Sequence, residues 1–209
     1  GRVSHPGVSA EELHFLHGVP GQARRWLSNL LQRPPHSLAS AAAMPLVEAC
    51  VLDNAISPTL NLNPVRERLA VGDGEGYRAL QAAAVAFMRD MLRKAEATGL
   101  EHAFFLHLAP NLGRDERGDE RLKPATAGDP GTTDFQFMLC GAVKEVGVLV
   151  LLNHYYFRHY GEYPLGESFN AREAPAEPAA LLALAERHFD RARMPRIVGV
   201  GDTVTAARD

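Results

Sequence analysis

The chain has 209 residues, of which 46% are hydrophobic and 22% charged, with a formal net charge of −3; this is ordinary for a soluble globular chain with room for one large domain or two small ones. The charge leaves no basic footprint for nucleic acid, and no apolar run approaches the roughly 18 residues of a membrane span, the longest being Val146 to Leu152. Cys50 and Cys140 are far apart, lack metal-ligand spacing and sit in apolar surroundings, which suits buried thiols in a reducing, cytoplasmic setting.

The amino end, GRVSHPGVSA, has no basic stretch leading into an apolar one and no initiator Met, so a piece of a longer chain is expected, without a signal peptide. Ser9, three residues before Glu12, predicts a capped helix that Gly18 ends, and a second helix is expected over about 21–31. A strand is expected from Val47 to Leu52, stopped by the Asp-Asn pair and Pro58. The Gly-rich VGDGEGY is a connection before a long helix from Glu75 to Thr98, with Leu80, Ala84, Phe87 and Met91 at helical spacing and Gly99 as its C-cap. AFFLHLAP and ERLKPATAG read as strands on either side of a polar run, giving an α+β unit, and TAGDPGTTD marks a domain boundary after residue 128. Beyond it, Val143–Tyr160 and Pro178–His188 read as helices and Ile197–Gly201 as a closing strand, half of a doubly wound α/β fold.

Asp202 follows that apolar run, where the carboxyl end of a buried strand would present a carboxylate suited to a hard cation such as Mg²⁺; alone, the pattern equally suits a turn or a helix start. Lys144 opens a helix, where the dipole offers a cation nothing, so a phosphate partner is one reason for it and a solvated surface position the other. Asn111, Arg114 and Arg117 lie in a loop of alternating charge that reads first as solvated surface, although arginine can also grip phosphate with its planar fork. The histidines show no zinc spacing, GDGEG lacks the Lys-Ser/Thr ending of a phosphate loop, and no nucleophile-elbow pattern supports acyl transfer.

Taken together, KEVGVLVLL and IVGVGDTVT resemble the third and fourth motifs of the haloacid dehalogenase superfamily of phosphatases. VSHPGV, VLDNAISPT, APNLGRDERG, GDPGTTDFQFML, YPLGESFNAR and VGVGDTVT look like the glucosylglycerol-phosphate phosphatase family, which serves salt tolerance by making the compatible solute glucosylglycerol. The resemblance implies part of a haloacid dehalogenase-like Rossmannoid core over 129–209 and an α+β specificity cap over 1–128. It implies a Mg²⁺-dependent reaction in which an aspartate attacks phosphorus, an aspartyl phosphate forms, and water releases it. Lys144 and Asp202 match the catalytic lysine and metal-binding acid, and Asp209 corresponds to the second acid of that motif at a longer spacing. His107, the loop Asn111–Arg117 with Arg114 and Arg117, and Thr132, Thr133 and Asp134 are expected to face the substrate. The Asp-x-Asp nucleophile motif occurs nowhere in these residues and is expected upstream of Gly1, so the chain alone should be inactive. The implied substrate is glucosylglycerol 3-phosphate, with sucrose, trehalose or glucosylglycerate phosphate as rivals, and a non-catalytic sugar-binding module as a rival of another class. An association with glucosylglycerol-phosphate synthase is expected on the same ground.

Overall fold

The computed structural model describes residues 7–69, 75–175 and 177–198. The chain divides into two compact units, one up to Val143 and one from Lys144 onward.

In the first unit, helix α1 (Ala10–Gln32) begins at the expected capping box: Glu12 N–H donates to Ser9 Oγ at 3.1 Å and Ser9 N–H to Glu12 Oε2 at 2.7 Å. The helix does not stop at Gly18. Leu16, Val19, Ala23, Leu27 and Leu31 form one buried stripe at helical spacing, and its burial outweighs both the flexibility of Gly18 and the backbone hydrogen bond lost at Pro20. The strand expected from Val47 is likewise mostly helix. Ala43, Val47 and Cys50 are the buried residues of α2 (Ser40–Cys50), a helical spacing rather than an alternating one, and only β1 (Val51–Leu52) is extended.

Strand β2 (Thr59–Asn61), helix α3 (Asn63–Leu69), helix α4 (Glu75–Ala97), strand β3 (Phe104–Ala109) and the hairpin of β4 (Asn111–Arg114) with β5 (Glu120–Leu122) follow, and β6 (Asp134–Leu139) completes the unit. β6 lies beyond the expected boundary at residue 128, yet it is the central strand that joins β2 to β3 in an antiparallel sheet of order β1-β2-β6-β3. The unit therefore extends past 128 to Val143. The fold class is α/β as expected, with helices on a small antiparallel sheet.

Alternation gives the sheet two unlike faces. Val51, Leu60, Phe135, Phe137, Leu139, Phe104 and Leu108 are buried in the core with α1, α2 and α4, where Phe104 and Phe137 meet at 5.0 Å and Trp26 stacks on Phe87 at 4.9 Å. The opposite face carries Thr59, Asn61, His107, Asp134 and Gln136.

The segment from Lys123 to Thr132 is pinned to α4 by Gln81, which is fully buried. Its Nε2 lies 2.8, 3.1 and 3.3 Å from the carbonyl oxygens of Thr132, Pro130 and Lys123, and its Oε1 accepts the N–H of Ala125 at 3.0 Å. Thr132 N–H closes the segment onto Lys123 O at 2.8 Å. Gly131 sits in this crossing at φ +62°, and a Cβ there would stand 2.2 Å from Lys123 O.

In the second unit, α5 (Lys144–Tyr160) and α6 (Pro178–His188) are connected by a loop that Asn153 organises, donating to Gly166 O and accepting from Leu165 N–H, both at 2.9 Å. Tyr156 OH donates to Asp190 O, and the Arg193 guanidinium lies 4.1 Å over the Tyr160 ring. Of the expected closing strand, Ile197 and Val198 are exposed and without regular structure, and 199–201 lie outside the described residues.

Two outcomes follow from this packing. Gln81→Leu leaves buried backbone groups without partners and Gly131→Ala forces the crossing open, so each should destabilise the chain by about 3 kcal/mol in urea denaturation. Gly128→Ala, where an added Cβ meets nothing within 4 Å, should change little; equal effects at Gly131 and Gly128 would contradict the crossing. Burial also raises the Cys50 thiol from 9.0 to about 11 and the Tyr77 phenol from 10.0 to about 12. The folded chain then holds protons that the unfolded chain releases, so the contribution of these two groups to stability is full below pH 9 and is lost as pH rises toward 12. Cys50→Ala should remove part of the fall between pH 9 and 11, and an unchanged profile would contradict the buried thiol.

Candidate functional site

β3 and the β4–β5 hairpin converge on one carboxylate. Glu120, whose side chain is 9% exposed, accepts the Leu108 N–H at 2.7 Å and an Asn111 Nδ2 hydrogen at 3.0 Å on Oε2, while His107 Nδ1 lies 2.9 Å from Oε1. Arg114 Nη2 stands 4.0 Å from the same Oε1, and its Nη1 donates to Gly118 O at 3.0 Å. Asn111 also donates to Leu108 O at 2.8 Å, which ties the start of the hairpin to β3. A carboxylate can only accept, so the proton of neutral His107 resides on Nδ1 and Nε2 keeps an open lone pair.

The structure thus brings together three expected residues, His107, Asn111 and Arg114, around a fourth that was not expected. Glu120 lies in the run NLGRDERGDE, where alternating charges conceal which carboxylate turns inward. A signal was present only in its placement at the start of a strand opposite Arg114. Arg117 stands apart at the exposed hairpin tip, where its backbone N–H and that of Asp119 donate to Asp115 Oδ1 at 2.9 and 3.0 Å.

Beside the hairpin, a cleft of about 370 Å³ opens between α4 and the outer edge of β3, lined among others by Arg89, Arg93, His102, Phe104, Arg114 and Glu120. Arg93 pairs with Asp90 at 3.3 Å. Lining of both signs suits polar ligands that carry donors and acceptors together.

The second expected group, at the entry to β6, is built into the framework. Thr132 is fully buried; its hydroxyl donates to Pro110 O at 2.6 Å and accepts the Lys123 N–H at 3.0 Å. Thr133 Oγ1 donates to Asp134 Oδ2 at 2.8 Å, and Asn61 Nδ2 donates to Asp134 Oδ1 at 2.9 Å. Thr133 N–H reaches Ala109 O at 3.1 Å, so this group holds the ends of β2, β3 and β6 in line. Asn61 was not singled out by motif, although it faces Asp134 directly across the sheet.

Lys144 is exposed at the first position of α5, in the second unit. Asp202 and Asp209 lie outside the described residues. Among the described residues no group of three His, Cys, Asp or Glu side chains could hold a metal ion. Cys50 is fully buried, Cys140 half-buried, and no disulfide joins them. No helix among the described residues is long and apolar enough to cross a membrane.

Residues 1–209 match the family described as glucosylglycerol-phosphate phosphatase. The chain is 51% identical over 209 residues to the glucosylglycerol-phosphate phosphatase of Synechocystis sp., covering 100% of this chain and 49% of that protein. It therefore spans about half the length of the curated relative it matches. No solved structure matches it. With its whole length matched and half its residues shared with a named member, the chain belongs to the glucosylglycerol-phosphate phosphatase family.

Proposed function

We propose that the chain is part of a cytoplasmic, Mg²⁺-dependent phosphatase that converts glucosylglycerol 3-phosphate to glucosylglycerol. The observation that carries this is the family match along all 209 residues together with 51% identity to a protein named for that activity.

In this scheme the attacking aspartate belongs to an Asp-x-Asp motif, which these 209 residues do not contain. Its carboxylate oxygen bonds to phosphorus as the bond to the glycerol oxygen breaks, a second aspartate protonates that oxygen, and water then cleaves the aspartyl phosphate. Lys144 sets its ammonium against phosphoryl charge and steadies the nucleophile. Asp202, with Asp209, would hold Mg²⁺, which offsets charge on the transferring phosphoryl group when bound. The first unit supplies substrate recognition through His107, Asn111 and Arg114, with Arg117, Thr133 and Asp134 at its margins and Thr132 supporting them from within the fold. Association with the glucosylglycerol-phosphate synthase, whose reaction would supply this phosphorylated glycoside, belongs to the same proposal.

The test is release of inorganic phosphate by the protein expressed from its complete reading frame. Glucosylglycerol 3-phosphate should be hydrolysed in the presence of Mg²⁺, and chelation should abolish the reaction. Residues 1–209 alone should release none. Lys144→Ala should lower kcat by about 100-fold or more, and Asp202→Asn should raise the Mg²⁺ concentration required. Preference for sucrose, trehalose or glucosylglycerate phosphate would overturn the substrate, and turnover by 1–209 alone would overturn the assignment of the nucleophile.

A further inference from the structure

The face of the sheet turned away from α1, α2 and α4 is patterned. Register places Thr59, Gln136 and His107 side by side in one row, Asn61, Asp134 and Ala109 in the next, and Phe105 beside Met138 in a third. Most of its polar groups are committed within the fold. Thr59 Oγ1 donates to Ser57 O at 2.8 Å, and Asn61 and Thr133 both donate to Asp134. Two are not: among the described residues, nothing hydrogen-bonds to the Gln136 amide or to His107 Nε2. These two half-buried side chains are direct cross-strand neighbours, so their Cβ atoms stand about 5 Å apart.

The ligand chemistry follows from charge and from atom type. The carboxylates of Asp134, in the next row, and of Glu120, behind the His107 ring, border this pair, with Arg114 Nη2 4.0 Å from Glu120 Oε1, and the sheet rows themselves contain no lysine or arginine. With no cation in these rows, a phosphate lacks a direct partner there. An uncharged polyol is suited, because each hydroxyl both donates and accepts: His107 Nε2 accepts, and the Gln136 amide does both. Half-buried Phe105 and Met138 add apolar surface for the C–H face of a sugar ring.

We propose that Gln136 and His107 form a subsite for the glycosyl hydroxyls of the substrate, and that Glu120 is a positioning residue that keeps His107 Nε2 an acceptor. Naming the glycoside as glucosylglycerol rests on the phosphatase function proposed above.

The test uses the protein from the complete reading frame with two readouts. The first is the ratio of kcat/KM for glucosylglycerol 3-phosphate to that for glycerol 3-phosphate, which lacks the sugar. Gln136→Ala should lower this ratio about tenfold, chiefly through KM, whereas Gln32→Ala, at an exposed position on α1, should not change it. The second is calorimetric titration with glucosylglycerol itself, which needs no turnover; Gln136→Ala should weaken binding about tenfold. For Glu120→Gln, the ¹⁵N signals of the His107 ring should move from an Nδ1–H toward an Nε2–H tautomer, and the same ratio should fall.

A wild-type protein that hydrolyses nothing but binds glucosylglycerol in a Gln136-dependent way would refute the phosphatase function and support the subsite. Normal hydrolysis with an unchanged ratio and unchanged binding in Gln136→Ala would overturn the subsite alone. A wild-type protein that neither hydrolyses the phosphate nor binds glucosylglycerol would overturn both.

Discussion

The side-chain amide of Gln81 lies fully buried in the second turn of α4, bonded to the backbone at Lys123, Ala125, Pro130 and Thr132. A buried amide left without partners costs about 1–3 kcal/mol per group, so α4 and this segment must stay in register with each other. The segment leads directly into β6, the central strand between β2 and β3. The polar face of the sheet, its alternation and the pairing of Gln136 with His107 all depend on where that strand enters. Gly131 is part of the same constraint, because its missing Cβ lets the two ends of the segment cross at backbone distance.

Glu120 does for the hairpin what Gln81 does for the loop, with a charge in place of an amide. It draws a backbone N–H, an asparagine, a histidine and, at longer range, an arginine toward one point. From the start of β5 it reaches across to β3 and orders the polar residues that a ligand would meet while remaining nearly out of solvent itself. A group in that position tunes its neighbours more than it touches a ligand, in the way outer-sphere partners orient a metal-bound or catalytic imidazole.

Much of this architecture is legible in the residues. The Ser9 capping box, the stripe of α4 and the α/β class appear as periodicity and cap chemistry predict. α1 passes through Gly18 and Pro20 because its buried stripe continues on both sides of them, a tertiary effect that a breaker rule cannot include. β6 joins the first unit through partners at least 25 residues away in sequence in β3 and about 75 away in β2, and pairing at that distance leaves no local mark. The site follows the same division. His107, Asn111 and Arg114 come from recognisable segments, but Glu120, Gln136 and Asn61 acquire meaning only from register. The family was legible because several long sequence words agree at once, and they carry chemistry that no single motif here would support alone.

The account is tested most directly by a crystal structure of the protein from the complete reading frame with glucosylglycerol bound. It predicts the glucosyl ring over the β3–β6 rows, with hydroxyls within hydrogen-bonding distance of the Gln136 amide and of His107 Nε2, and Glu120 still on His107 Nδ1. A glucosyl ring seated elsewhere, with Gln136 touching only solvent or protein, would contradict it.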